Sequence, residues 1–439
     1  MKRLLFCLVA LVVAMAFVVP CYSAEMKING INRLKFVATD NMDGNDKIDD
    51  NRQFVKQRLR MYFTSIASEN LKVVYKNEID FNWGDNSFAT TRSQGGRIGG
   101  DTVNLETKNI YMEFMIPNTP VKFTGGLQGV TLHRGWFISD DVSAARFDVN
   151  LDPFSVLAYW ANAIDTLQTS SEDDMWQLVL SGAYKAENMD ARLSFGYEKG
   201  PDGNFTPGSP PGPTAKDDDF YLLMGDFGMS FDMVSFYVIA GLNAGKRKNN
   251  GASDNKYKGY MFEGQVDFAL DIATLYVNFR YASGEKEGKD DFGFRGMSGQ
   301  TYSWSEILSD GYFWEVNSDM SQISSIGDKG YAVPGHSASN HPSNMWAIAV
   351  GGDVKPTDTT SIGLDLYYIA MVEKRTVGGK STDDVGFEVD LDITQKIYDN
   401  LDMKIVGAYM FADDGFGAPA ATANKDDAFV LGLGFNYKF

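Results

Sequence analysis

Apolar and polar residues alternate along this chain with a period of two, the spacing that puts successive side chains on opposite faces of a β-strand. From Lys56 to Thr64, Gln57, Leu59, Met61 and Phe63 take one side, and Lys56, Arg58, Arg60, Tyr62 and Thr64 the other. From Lys72 to Trp83, Val73, Tyr75, Ile79, Phe81 and Trp83 oppose Lys72, Lys76, Glu78, Asp80 and Asn82. Met189 to Tyr197 and Tyr260 to Leu270 repeat the arrangement. The pattern predicts strands over 26–39, 53–67, 71–83, 105–116, 121–131, 142–150, 153–163, 175–186, 188–198, 219–230, 232–243, 257–269, 271–282, 344–354, 361–374, 384–397, 401–411 and 428–439.

The connections alternate as well. Short links such as Ser68-Glu69-Asn70, Pro117 to Pro120 and Tyr398-Asp399-Asn400 separate long polar loops over 40–52, 84–104, 131–141, 163–174, 199–219, 244–257, 283–343, 375–383 and 412–427. Tight turns on one side and elaborated loops on the other are the pattern of a transmembrane antiparallel β-barrel, with the short turns periplasmic and the long loops extracellular. Eighteen segments are expected, an even number that leaves both chain ends on the short-turn side, and sixteen would satisfy the same parity. Trp83, Trp176, Trp346 and Tyr398 fall near strand ends, where aromatic girdles meet the lipid interface. The terminal strand alternates Phe429, Leu431, Leu433, Phe435, Tyr437 and Phe439, a face that would aggregate in water and that closes a barrel in lipid. Its final aromatic resembles the signal read by the barrel-assembly machinery. A soluble β-sandwich shares the alternation, but not the long run of strands without a domain break.

Composition narrows the setting. Lys2 and Arg3, an uncharged apolar run from Leu4 to Val19 and a small polar stretch to Ala24 read as a signal peptide over residues 1–24, with one barrel over 25–439. Both cysteines, Cys7 and Cys21, lie in that leader, so disulfides do not stabilise the mature chain. Losing the leader removes two of 40 basic and none of 58 acidic residues, taking the net charge from -18 to -20, which excludes nucleic acid as a partner. After the leader no apolar stretch is long enough for a spanning helix, and a closed barrel is the other route across a membrane.

The runs from Gln57 to Trp83 and from Asn104 to Val130 are similar to the outer-membrane homotrimeric porins of sulfate- and metal-reducing anaerobic bacteria, with the Pro117 to Pro120 turn and Gly126-Leu127-Gln128-Gly129 in the shared pattern. That resemblance implies a homotrimer passing small hydrophilic solutes, in outer-membrane lipid and lipopolysaccharide. The expected function is a diffusion porin with mild anion preference. The alternatives are a substrate-specific channel and a non-conducting barrel that is structural or sheathes a partner.

With apolar faces toward lipid, the lumen receives a basic wall of Arg33, Lys35, Lys56, Arg58, Arg60, Lys72 and Lys76, with Glu78, Asp80 and Glu113 as nearby acids. Such a wall selects anions when acids face it across the pore. It equally serves as a polar surface paired to carboxylates. In loop 131–141, His133, Arg134, Trp136, Asp140 and Asp141 are candidates for a constriction or a surface lip. Loop 283–343, with Trp304, Tyr312, Phe313 and Trp314, is too long to be structureless and is expected to hold short packed pieces that cap the pore, plug it partly or reach a neighbouring subunit. His336 and His341 lack clustered ligands, so no metal or other cofactor is expected there. The acidic runs Asp40 to Asp50 and Asp217 to Asp219 suit either weak bridging of divalent cations or plain solvation; Lys47 breaks an EF-hand reading. No catalytic motif is present, and the chain is not expected to be an enzyme.

Overall fold

The computed structural model describes residues 24–42, 44, 51–86, 95–100, 103–164, 174–200, 204–206, 209–212, 215–249, 254–285, 291–309, 311–312, 342–377, 380–416 and 426–439. Eighteen strands form the wall: β1 Glu25–Asp40, β2 Arg52–Ser68, β3 Leu71–Asn82, β4 Glu106–Met115, β5 Val121–Leu132, β6 Ile138–Leu151, β7 Phe154–Ile164, β8 Met175–Lys185, β9 Met189–Gly200, β10 Ala215–Phe231, β11 Val234–Asn249, β12 Tyr260–Ala269, β13 Ala273–Ala282, β14 Met345–Thr357, β15 Thr360–Val377, β16 Lys380–Tyr398, β17 Leu401–Ala412 and β18 Ala428–Lys438. Each pairs antiparallel with the next in sequence. β18 returns to β1, Asn436 opposite Arg33 and Phe435 opposite Leu34, and the barrel is closed. Two short pieces, Asn255–Tyr257 and Asp291–Phe292, add a parallel pairing above the wall.

The alternation explains which way each strand faces. Ile28, Phe36, Val73, Leu193, Phe195, Phe262 and Leu431 are exposed large apolar side chains, whereas Lys35, Arg58, Glu78, Glu198, Glu263 and Glu388 are buried. Burial of charge with exposure of hydrocarbon is inverted relative to a soluble protein and is what a lipid-facing barrel requires. Trp83 and Tyr398 are exposed near strand ends, as girdle residues are. The molecule is an outer-membrane β-barrel of eighteen antiparallel strands.

Several strands outrun the sequence expectation. β15 and β16 pair as far as Val377 and Lys380, where a loop over 375–383 was expected, because strands continue above the bilayer. Loop 131–141 shrinks to residues 133–137, since β6 begins at Ile138. The signal peptide expected over residues 1–24 lies, up to residue 23, outside the described residues. So do Asp43 and residues 45–50 of the first acidic run, the side chain of Asp217, and His336 and His341.

Barrels of sixteen to eighteen strands leave an aqueous channel unless something fills them. Here two connections fold inward. Residues 133–137 form a short arm, and the described residues of 293–312 in the long loop (293–309 and 311–312) are packed inside, with Phe294, Met297, Tyr302, Ile307 and Leu308 buried.

Candidate functional site

The basic wall is assembled by register. Arg33 sits opposite Arg58, which sits opposite Asp80; Lys35 sits opposite Lys56; Arg60 sits opposite Glu78. One inward face of three strands therefore carries all of these groups. Arg58 Nη2 lies 2.6 Å from Asp80 Oδ2 and 3.4 Å from Glu78 Oε1, all three side chains buried. Arg60 Nε donates to Glu78. The Lys72 ammonium is 2.9 Å from Glu113, and Lys76 lies over the Tyr62 ring at 5.2 Å. Arg33 Nε donates to Asn436 Oδ1 of the closing strand at 3.2 Å.

These cations divide into two groups. Lys35, Lys56 and Arg58 are buried. The side chains of Arg60 and Lys72 keep 19% and 38% of their surface open, so they meet the solvent of the lumen. Lys122 on β5 and Arg146 on β6 extend the open group and were missed in the sequence. The signal was present in parity: Lys122 and Arg146 alternate with Phe123 and Phe147, which pack at a tilt against each other on the other face, ring centroids 5.2 Å apart.

The arm enters the lumen through an unusual backbone. His133, Arg134 and Gly135 all have positive φ, at 50°, 56° and 98°. For the two non-glycine residues such a conformation costs on the order of 1–3 kcal/mol each and needs anchoring. His133 supplies it: Nε2 is 2.7 Å from Ser194 Oγ and Nδ1 is 2.5 Å from Asp226 Oδ2. The Arg134 guanidinium lies 3.7 Å from the centroid of the Tyr237 ring. Trp136 is wholly buried, and its indole N–H donates to Glu263 Oε2 at 2.5 Å. Asp140 and Asp141 are apart from this group, in β6. Asp141 accepts from Asn109 at 2.7 Å and pairs with Lys108 at 2.5 Å.

The segment 293–312 docks on the arm and then follows the wall. Met297 N–H donates to Phe137 O and Ser139 N–H to Gly299 O, each at 2.9 Å. Trp136 stacks on Tyr302 with centroids 4.2 Å apart. Arg295 pairs with Glu198, which also accepts from Ser298 N–H at 2.8 Å and Gln177 Nε2 at 3.0 Å. The Tyr302 hydroxyl donates to Glu263 Oε1 at 2.6 Å, and burial pushes its phenol well above the ordinary range, so it stays a donor. Further on, Glu306 N–H donates to Asp390 at 3.0 Å and Ile307 N–H to Glu388 at 2.7 Å. At the end, Lys35 Nζ donates to Tyr312 O at 2.5 Å.

Wall glycines make room for this packing. A Cβ on Gly196 would meet Met297 Sδ at 2.6 Å and the Phe137 ring at 2.8 Å, and one on Gly434 would collide with the Tyr312 ring.

Among the described residues, these contacts reach β8 to β13, β15 to β18 and β1, and touch β2–β6 only at the start of β6. Two spaces remain beside them. One, about 430 Å³, is lined by Trp304, Glu306, Asp365, Asp390, Asp392 and Lys404 and is strongly acidic. The other, about 370 Å³, lies beneath the arm, with Arg134, Asp190, Arg192, Asp226 and Tyr237 in its lining. No three His, Cys, Asp or Glu side chains converge on a metal position among the described residues. Asp218 and Asp219, expected in a solvated acidic loop, belong to β10 and accept the Tyr257 and Tyr197 hydroxyls at 2.7 and 2.6 Å.

No protein-family model matches the chain. No curated protein matches it either. Solved structures do, over nearly the whole length. Pseudomonas aeruginosa OpdO is 9% identical with a TM-score of 0.58, covering 94% of this chain and 97% of that one. OpdQ from the same organism is 11% identical with a TM-score of 0.58 and coverage of 94% and 97%. P. aeruginosa OpdK, solved with vanillate, is 10% identical with a TM-score of 0.56 and coverage of 94% and 98%. These matches correct the expected membership of the homotrimeric porins of sulfate- and metal-reducing anaerobes. The short runs on which that resemblance rested reflect strand alternation, which unrelated barrels share. The homotrimer had no other support and is withdrawn with it, and the matched structures lend none to lipopolysaccharide or the assembly machinery as partners. What the chain is similar to is the barrel of the Pseudomonas Opd proteins, and its fold is that of an eighteen-stranded outer-membrane β-barrel.

Proposed function

We propose that the barrel is a substrate-selective channel for small carboxylate-bearing solutes, in place of the open diffusion porin expected from the alternation alone. The observation that carries this reading is the inward packing of residues 133–137 and 293–312. Directional bonds, many of them buried, hold those pieces against one side of the lumen, and the solute's way is confined between them and the inner face of β2–β6. The lumen-facing cations there are Arg60, Lys72, Lys76, Lys122 and Arg146, with Lys35, Lys56 and Arg58 buried further along the same inward face. Across the lumen stand Asp365, Asp390 and Asp392. A basic wall facing an acidic one orients a solute that has an anionic end. Vanillate, found with OpdK, is an aromatic carboxylate, and its charge suits this wall. In this reading the mature chain starts near Glu25, after a signal peptide.

Uptake into proteoliposomes tests the proposal. Flux of a benzoate-type carboxylate should saturate with concentration and exceed that of its neutral alcohol. Linear uptake of both solutes at equal rates overturns the selective reading in favour of diffusion, and a folded barrel that passes neither supports a structural role.

A further inference from the structure

We infer that the cavity beneath the arm is a distinct subsite that binds a small carboxylate bearing a hydrogen-bond donor on the neighbouring carbon, an α-amino or α-hydroxy acid. The inference rests on the carboxylate-channel reading above and adds a place and a chemical class to it. The cavity lies on the short-turn side of the arm, between Thr131 to Arg134 and the ends of β9 to β12. Its volume, about 370 Å³, accommodates a solute of a few heavy atoms with water.

The valences of the lining groups decide the chemistry. Asp226 is engaged by His133 at 2.5 Å. Asp267 accepts from Gln265 Nε2 at 2.6 Å. Three charged groups remain. Arg134 has its guanidinium stacked on Tyr237, which leaves its N–H edges without a carboxylate partner among the described residues. Arg192 donates to the Ser181 hydroxyl at 3.2 Å and has no carboxylate partner among them either. Asp190, two residues before Arg192 on the same inward face, is exposed to the cavity and makes no ion pair among the described residues. Two guanidiniums and one carboxylate thus line one small space with no ion pair among the described residues. A guanidinium fork holds a carboxylate through paired N–H donors. Asp190 is acceptor-only when ionised, so the complementary group is a hydroxyl or an ammonium beside the solute's carboxylate. The strained backbone at Arg134 has a use here, since it turns that guanidinium over Tyr237 and into the cavity instead of along the wall.

Propionate, lactate and alanine separate the parts of this idea, because they match in size and differ only in the group next to the carboxylate. The full mature barrel is reconstituted in planar bilayers, and the dwell time of single blocking events is measured for each solute. Lactate and alanine should dwell roughly five- to tenfold longer than propionate, the worth of one good hydrogen bond. Arg192→Gln should shorten all three dwell times by a similar factor. Asp190→Asn should abolish the advantage of alanine over propionate. Equal dwell times for the three solutes in the unaltered protein, or an Asp190→Asn change that falls equally on all three, overturn the subsite while leaving a carboxylate channel intact. If none of the three blocks, and benzoate flux does not saturate either, the channel reading fails together with the subsite. Open-channel conductance of each variant reports that the barrel has folded.

Discussion

At the scale of single residues, the structure divides a set of cations that look equivalent in the sequence. Arg58 and Arg60 are two apart on one face, yet Arg58 is buried between Asp80 and Glu78 while Arg60 keeps a surface open to the lumen. Alternation reports the face and says nothing of what later covers it, so the distinction was not legible. The consequence is measurable. Arg58→Gln takes the guanidinium away from buried Asp80, while Glu78 keeps Arg60, and should destabilise the barrel by about 3–5 kcal/mol, seen as a lower urea midpoint in unfolding from detergent or lipid. Arg60→Gln leaves Glu78 with Arg58 and should instead lower anion over cation permeability. An unchanged reversal potential under a salt gradient would remove Arg60 from the selective wall. Tyr302 gives a second test. Its hydroxyl is one of the donors that satisfy Glu263, and Tyr302→Phe should loosen the inward segment by about 1–3 kcal/mol, read as faster protease cleavage within 293–312. The phenol is held above its ordinary value of 10.0, so its contribution is complete below that pH and declines as pH rises beyond it. Protection of the segment should therefore be flat from neutral pH to about pH 9 and fall in stronger alkali, and a loss of protection near pH 7 would mean that another group holds the latch.

At the scale of elements, the strands and their parity were legible, and the inward pieces were legible only as a question. Strands declare themselves because one face meets lipid and the other meets water, which forces a period of two. Residues 293–312 meet protein on nearly every side, and the sequence there shows glycine, serine and aromatics with no period. The aromatic content pointed to packed pieces; the direction of packing came from the glycines opposite them in the wall, Gly196 and Gly434, which have no partner pattern in sequence. The arm was anticipated as a candidate constriction, but it is shorter than expected, and Asp140 and Asp141 do not join His133 and Trp136. Replacing 293–312 with a short Gly/Ser linker should raise single-channel conductance several-fold and erase discrimination between a carboxylate and its neutral analogue. Conductance that stays at the original value would show that some other part of the lumen sets the limit. Gly196→Leu is the gentler form of the same test. Its side chain would compete for the place of Met297 and Phe137, so it should raise conductance and protease access without removing a bond.

At the scale of the whole molecule, the decisive contact is the seam between β1 and β18. A barrel in lipid has no solvent to satisfy an open edge, and each unpaired backbone group there costs several kcal/mol. The seam continues past the register of the two strands: Gly30 N–H donates to Phe439 O at 2.9 Å and Phe439 N–H to Gly30 O at 3.1 Å. Gly30 is required at that point by contact. An added Cβ would meet the Phe439 ring at 2.7 Å and collide with the carbonyl of Arg60 on the neighbouring strand. The closing strand was readable in the alternation of Phe429 to Phe439, whereas the need for glycine opposite its last ring depends on a long-range approach that no local pattern records. Gly30→Val should therefore act on closure. Because the two strand edges must meet before either is satisfied, a misfit at the seam should lower the fraction of chains that close, while barrels that do close keep their lumen and hence their conductance. The folded fraction is read from the heat-modifiable band on an unboiled gel and the conductance from single channels. A full yield of folded barrel with Gly30→Val would show that the seam tolerates a branched side chain and that closure depends on the ladder from Ile31 to Asp40 alone.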